Sequence, residues 1–392
     1  MIGPEPTAVR SRRATSLMDL ATRLLAMLAL CLASACLVGC SDPAPLKVGF
    51  IGGTSGRGAD LGISGRNGVQ LAVELRNARG GIGGRQLELL ARDDGGDPEH
   101  ARLVLRELAA SGCEAVVGPM TSAIALAIAP LAEELRVTLV SPTVTTNELS
   151  GKDDHFFRVV APTRQFTEQS AIHLGEHLGL SRLAVIYDAT NAAYASSWLT
   201  DFRRVFESEH RQFVKVLTFE SGAQERLAPL ARSLLGEPVD GVLILANSLD
   251  AALLAQQLRR IDPDVQLAAS EWASTARLIE MGGRAVEGMS LATFLDENDQ
   301  SPAYLEFRSA YRKRFGGDPG FGGLTGFDAA NVLLAAFEGR RENEPIRAYL
   351  KRAPHVPAVQ GAFDFDGSGD GKRRSYITTI RNGHFVRVTD MP

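Results

Sequence analysis

The chain has 392 residues, 45% hydrophobic and 22% charged, long enough for two or three domains with proper cores at ~100–200 residues each. These fractions exclude a generally disordered or fibrous chain. Lys and Arg number 42 against 46 Asp and Glu, a formal charge of −4; with no basic surplus to neutralise phosphates, no nucleic-acid partner is expected.

The N-terminus reads as an export signal. Residues 1–23 are polar and carry Arg10, Arg12, Arg13 and Arg23, and residues 24–39 then run without a charge. That apolar stretch is shorter than the ~20 residues of a bilayer-spanning helix. It ends in Leu37-Val38-Gly39-Cys40, which resembles a bacterial lipobox, where cleavage leaves the cysteine as the acylated first residue. A plain secretory signal cut nearby, or a short buried helix, are the alternatives. Residues 1–39 are thus expected to be a lipoprotein signal peptide and 40–45 a lipidated tether. Without residues 1–39, which hold four arginines, Glu5 and Asp19, the formal charge moves from −4 to −6. An acidic, exported domain tethered to a membrane by lipid at Cys40 follows. Cys31 and Cys36 leave with the signal, so Cys113 stands alone and no internal disulfide forms. Its setting, SGCEAVVGPM, is that of a packed thiol entering a buried strand.

Beyond the tether, strands and helices alternate. Residues 46–51 read as a strand, followed by the glycine-rich stretch GGTSGRGADLG and a helix marked by Val69, Leu71, Ala72, Val73 and Leu75. Strands at 87–91, 115–118 and 137–140 interleave with helices at 100–110 and 122–135, the latter interrupted by Pro130. Residues 156–160 look like a crossing strand. The rhythm restarts with strands at 183–187, 214–219, 239–246 and 265–269 between helices near 164–178, 196–209, 224–235 and 249–260. A strand near 289–293 and helices near 301–315, 327–339 and 344–352 follow. The tail, 360–365 and 376–387, reads as strands around the turn 366–369. Short apolar strands between helices suit parallel sheets covered on both faces. Two similar α/β halves predict two lobes with a ligand cleft at the carboxyl ends of the strands.

Several motifs look chemical. Gly53 and Gly58 have phosphate-loop spacing, but Ala59-Asp60 replace the lysine and hydroxyl residue that would hold phosphate and magnesium; a turn lining the cleft is expected instead. The run from Asp364 to Asp370 resembles the start of a calcium loop, but Ser375 stands where its glutamate belongs, so a surface turn is expected. His173, Glu176 and His177 form H-x-x-E-H, a zinc-hydrolase pattern without an identifiable further acidic ligand. An ordinary helix surface is the reading preferred over an enzyme. No catalytic residue, metal or cofactor is expected.

Positions just past strand ends carry the stronger signal. Ser122 opens a helix whose free N–H groups attract an anion. Residues 141–145 offer backbone groups and the Thr145 hydroxyl, Glu271 follows a strand of the second half, and Tyr194 lies beyond the strand end at Tyr187-Asp188. One acid facing a helix N-terminus across a cleft suits a ligand with a carboxylate and an ammonium. Capping by Ser122 and Thr145, a solvated Glu271 and a core Tyr194 are the plain alternatives.

The stretches VGFIGGTSGRGADLGISGRNGVQLAVELRNARGGIGGRQLELLARDDGGDPEHA, AVVGPMTSAIALAIAPLAEELRVTLVSPTVT, AVIYD, FRSAYRKRFGGDP and GAFDFDGSGD resemble the type I periplasmic binding proteins, above all the leucine/isoleucine/valine-binding branch serving ABC transporters. The resemblance covers residues 46–388. It implies an α/β fold of two Rossmann-like lobes with parallel central sheets joined by a three-crossing hinge near 158–162, 290–296 and 354–358. Lobe 1 is then 46–160 plus 294–355, and lobe 2 is 161–293 plus 356–392. It further implies that Ser122 and Thr145 hold an amino-acid carboxylate, that the Thr143 carbonyl and Glu271 take the ammonium, and that Tyr194 closes over the ligand. The sequence departs from the pattern at Tyr194-Ala195, where the family often has Tyr-Gly. Asn247-Ser248-Leu249 lacks the tyrosine of the leucine binders, and Trp272 beside Glu271 takes up pocket space. The expected function is an extracytoplasmic receptor lipoprotein that binds an amino acid, branched-chain or other, or a related small polar metabolite, and delivers it to an ABC permease. A ligand sensor of the same fold, signalling to a membrane partner, is the alternative.

Overall fold

The structure is a computed structural model that describes residues 43–353 and 355–388, with Met1, Gly3, Thr22 and Met27. Those isolated positions apart, the expected signal peptide lies outside the described residues, and so does Cys40.

In the first half, β1 (Leu46–Gly52), α1 (Ala59–Ala78), β2 (Leu87–Asp93), α2 (Pro98–Ala110), β3 (Ala115–Val117), α3 (Ser122–Leu135), β4 (Thr138–Ser141) and β5 (Phe156–Arg158) follow one another. The strands form a parallel sheet in the order β2-β1-β3-β4-β5. Val48, Phe50, Val116 and Leu139 are fully buried, because helices cover both faces of such a sheet and its strands are apolar throughout. Cys113 is buried beside β3, and burial pushes its thiol up to about 11, the inert state the sequence implied.

The second half repeats the scheme with α4 (Thr167–Ile172), β6 (Arg182–Asp188), α5 (Ala192–Phe206), β7 (Gln212–Phe219), α6 (Gln224–Leu234), β8 (Gly241–Leu245), α7 (Ser248–Ile261), β9 (Gln266–Ala269), α8 (Ala276–Gly282) and β10 (Ser290–Thr293). Next come α9 (Pro302–Phe315), α10 (Gly320–Gly339), α11 (Ile346–Arg352), β11 (His355–Pro357), β12 (Ala362–Asp364), β13 (Tyr376–Arg381) and β14 (His384–Arg387). Strands β7-β6-β8-β9-β10 are parallel and in the same order as the first sheet, and β13 and β14 extend the far edge antiparallel. In each half the order reverses direction at the first strand, β1 or β6. That switch point opens a crevice at the carboxyl ends of the strands.

Helix α1 starts at Ala59, well before the segment its apolar residues mark, and α10 starts at Gly320 rather than near 327. The cause is a close helix pair. A Cβ at Gly68 would lie 2.1 Å from the Gly323 carbonyl oxygen, and one at Gly326 would lie 2.4 Å from that of Gly65. These glycines let two backbones touch, and so sit inside helices despite their low propensity. Pro130 does not interrupt α3, which runs through it.

Two other expectations change. The helix expected over 164–178 is regular only to Ile172, after which His173–His177 form one wide π turn. His173 is not on a helix surface; it is buried, with Nε2 3.2 Å from Ser290 Oγ, while Glu176 and His177 are exposed. The loop from Asp366 to Asp370 is a turn in which Asp366 Oδ1 accepts the N–H groups of Ser368 and Asp370. It is not wholly at the surface: Asp370 is buried and accepts from Arg158 Nε at 2.7 Å. Nearby, buried Arg373 pairs with buried Asp328 of α10 and donates to the Val159 carbonyl at 3.1 Å, while Asp328 also accepts from Val359 N at 3.0 Å. The segment before β13 is thus tied to first-half elements by charges that would be costly to leave unpaired.

Candidate ligand-binding cleft

Both sheets belong to one unit, Pro45–Pro392, and the loops at their switch points face each other. Ser122, the first residue of α3, is buried, and its Oγ accepts from Thr146 N at 3.4 Å. The next N–H of the helix, at Ala123, donates to Asn191 Oδ1 of the other half at 3.0 Å. Part of the helix terminus is therefore met from across the cleft. Thr143 spends its hydroxyl on the Met120 carbonyl at 2.6 Å.

Glu271, just past β9, is 3% exposed and accepts from Trp198 Nε1 at 3.1 Å. Burial raises its pKa to about 7, and neighbouring Tyr194, Trp198 and Thr145 act in the opposite direction. Thr145 comes from the first half and Tyr194 from α5 of the second. Both are buried and near enough to Glu271 to favour its charged form, yet among the described residues neither hydroxyl makes a hydrogen bond of good geometry. The Ser270 hydroxyl is likewise unpartnered. Glu271 has no ion-pair partner among the described residues. A buried acid with only neutral donors around it has no counter-charge for its ionised form. The structure thus brings Thr145, Tyr194 and Glu271 together, with Ser122 one residue from that group through Thr146. The side-chain hydrogen bond of Thr143 points elsewhere.

Trp272 meets Tyr194 edge to face, with ring centroids 5.6 Å apart, and also lines an adjoining cavity of about 280 Å³. The glycine-rich loop after β1 lines this cavity too, as the sequence led us to expect. The sequence reading put the loops of Arg57 and Asn247 at the cleft but singled out none of Arg57, Asp94, Asp188, Asn191 and Asn247 as site residues. Asp188 ends β6 and the others follow β1, β2, β6 or β8, so the strand-end rule that selected Glu271 would have found them. It also missed Trp198, which lies inside a helix.

Cross-cleft contacts hold the halves together. Arg57 pairs with buried Asp250 of α7. Asp60 Oδ2 accepts from Ser248 Oγ at 2.7 Å and Thr275 Oγ1 at 2.6 Å, and Asn147 Nδ2 donates to Asp201 at 2.6 Å.

Paired α/β halves of equal strand order, with a polar cleft at their switch points, define a two-lobed solute receptor. The comparisons identify it further. Residues 45–384 match the family model described as periplasmic binding protein, and the chain belongs to that family. It is 25% identical over 337 residues to the Leu/Ile/Val-binding protein BraC3 of Rhizobium johnstonii, covering 85% of this chain and 90% of the relative. It is also 25% identical over 331 residues to the leucine-, isoleucine-, valine-, threonine- and alanine-binding protein of Pseudomonas aeruginosa, covering 83% and 87%. Among solved structures, the branched-chain amino acid transporter substrate-binding protein LivJ of Streptococcus pneumoniae, in complex with isoleucine, superposes with a TM-score of 0.81 at 23% identity, covering 88% of this chain and all of that one. An R. palustris ABC-transporter solute-binding protein in complex with benzoate gives 0.78 at 18% identity, covering 88% and 95%. These two likenesses establish the fold. The protein is a periplasmic binding protein, not an enzyme.

Proposed function

We propose that this protein is the lipid-anchored receptor of an ABC transporter, that it captures an amino acid between its lobes, and that it presents the closed complex to a membrane permease. The relatives named for leucine, isoleucine and valine support the amino-acid class. The observation that carries the reading is Glu271: a buried carboxylate without a cation among the described residues, with the hydroxyls of Thr145 and Tyr194 beside it. The ligand ammonium supplies the missing charge to Glu271, with the Thr143 carbonyl as a second acceptor. The carboxylate goes to Ser122, Thr145 and the N-terminus of α3, where N–H groups and the helix dipole favour an anion. Tyr194 covers the ligand from the second lobe. No step is covalent; ligand binding favours the closed state by its differential affinity.

The lobes we assign are 46–160 plus 294–355 and 161–293 plus 356–392, with the hinge crossings near 158–162, 290–296 and 354–358. The ties of residues 359–373 to Asp328, Arg158 and Val159 favour moving the last boundary beyond Arg373. Cys40 carries the lipid that keeps the receptor at the membrane.

A thermal-shift screen of the purified protein against amino acids, nucleobases, amides and small carboxylates tests the reading. A ligand at 100 times its Kd adds ~2.7 kcal/mol of stability. A shift with an amino acid that Glu271→Ala abolishes supports it. Stabilisation only by uncharged or purely anionic solutes overturns the amino-acid class.

A further inference from the structure

A cavity adjoins the proposed head-group site through Trp272, and its lining is not that of an aliphatic pocket. Its volume of about 280 Å³ equals the liquid share of on the order of nine waters. Leu61, Met120 and Trp272 give it an apolar side. The same lining holds two buried acids from different halves of the molecule, Asp94 at 1% exposure and Asp188 at 0%.

Asp188 Oδ1 accepts the N–H groups of Thr190 at 3.0 Å and Ser221 at 3.1 Å, whereas Oδ2 is buried and meets no donor. Asp94 accepts from Gly96 N at 2.8 Å and makes no ion pair among the described residues. Arg57 also lines the cavity, but its guanidinium is already paired with Asp250. Burial raises the pKa of both Asp94 and Asp188, the response of carboxylates held away from water without a counter-charge. A leucine side chain here would leave Asp188 Oδ2, buried and without a donor, unsatisfied, a cost that a pocket built around hydrogen bonding imposes on any ligand lacking the donor.

We infer that the ligand is an amino acid with a second, cationic nitrogen at the far end of an alkyl stem, a lysine-, ornithine- or arginine-like solute. The stem runs along Leu61, Met120 and Trp272, and the distal cation meets Asp188 and Asp94. This inference rests on the amino-acid reading of the Glu271 site, and the test separates the two.

Binding of L-lysine, L-ornithine, L-arginine, L-norleucine, L-leucine and L-glutamine to the purified full chain is measured by calorimetry. Norleucine has the lysine stem without its terminal ammonium, so the pair isolates the distal charge. At least one of the cationic amino acids is expected to bind tenfold or more tighter than norleucine and leucine. In Asp188→Asn that ratio collapses toward one; if this variant does not fold, Asp94→Asn carries the same comparison. Norleucine, leucine or glutamine binding as well as or better than every cationic amino acid overturns the inference and leaves the Glu271 reading intact. An unchanged ratio in the folded variant also overturns it. Binding of none of these amino acids, with stabilisation by a simple carboxylate instead, removes both.

Discussion

Glu271 makes the sharpest prediction because its ionisation couples to the charge we assign to the ligand. In the ligand-free protein burial holds its pKa at about 7, against 4.5 for an unhindered glutamate. The folded state therefore holds this proton more tightly than the unfolded chain. Its contribution to stability is present below the unfolded pKa and is lost as pH rises through 4.5 to 7; a shift of that size amounts to ~3 kcal/mol. An ammonium docked on the carboxylate favours the ionised form. Binding should expel most of one proton near pH 6. If the bound pKa returns to about 4.5, affinity should rise about 25-fold between pH 5.5 and pH 8. Calorimetry with the bound amino acid, in buffers of different ionisation enthalpy, reads the proton release directly. In Glu271→Gln the release and the pH dependence should vanish together with most of the affinity. Affinity independent of pH across that window, with no proton released by the wild-type protein, would refute the pairing of Glu271 with a ligand ammonium.

Two further outcomes follow from the packing. Gly68→Ala places a methyl 2.1 Å from the Gly323 carbonyl oxygen and should cost about 2–3 kcal/mol; a melting temperature lowered by less than about 2 °C would show that α1 and α10 can part easily. Arg57→Ala removes the cation of the cross-cleft pair with Asp250 and should raise the ligand Kd about tenfold, ~1.4 kcal/mol, by weakening the closed state. Unchanged affinity in calorimetry would mean that the pair does not help to hold the lobes closed.

Local pattern was sufficient for most of the architecture. The short, mainly apolar runs read at 46–51, 183–187 and 239–246 have too few polar residues to face solvent on one side, so they become parallel strands covered on both. Their repetition already implied two halves. Proximity to strand ends was enough to select Thr145, Tyr194 and Glu271, which the structure gathers from both lobes, because the carboxyl edge of such sheets is where loops converge. Helix boundaries were less legible where glycine intervened. Residues 59–68 look like loop by propensity, yet they are helical because α10, some 255 positions later, packs directly on their backbone. The same limit hid Trp198 and the charge pattern of the cleft. Whether Asp188 has a counter-charge, and whether Arg57 is free or already bound to Asp250, depends on which loops face each other across the two lobes. Residue types and periodicity determined most of the elements and the two-halved plan, and the resemblance of longer stretches to a known family gave the class of protein. The identity of each buried charge's partner was decided only by tertiary structure, because desolvation and pairing act between groups far apart in the chain and close in space.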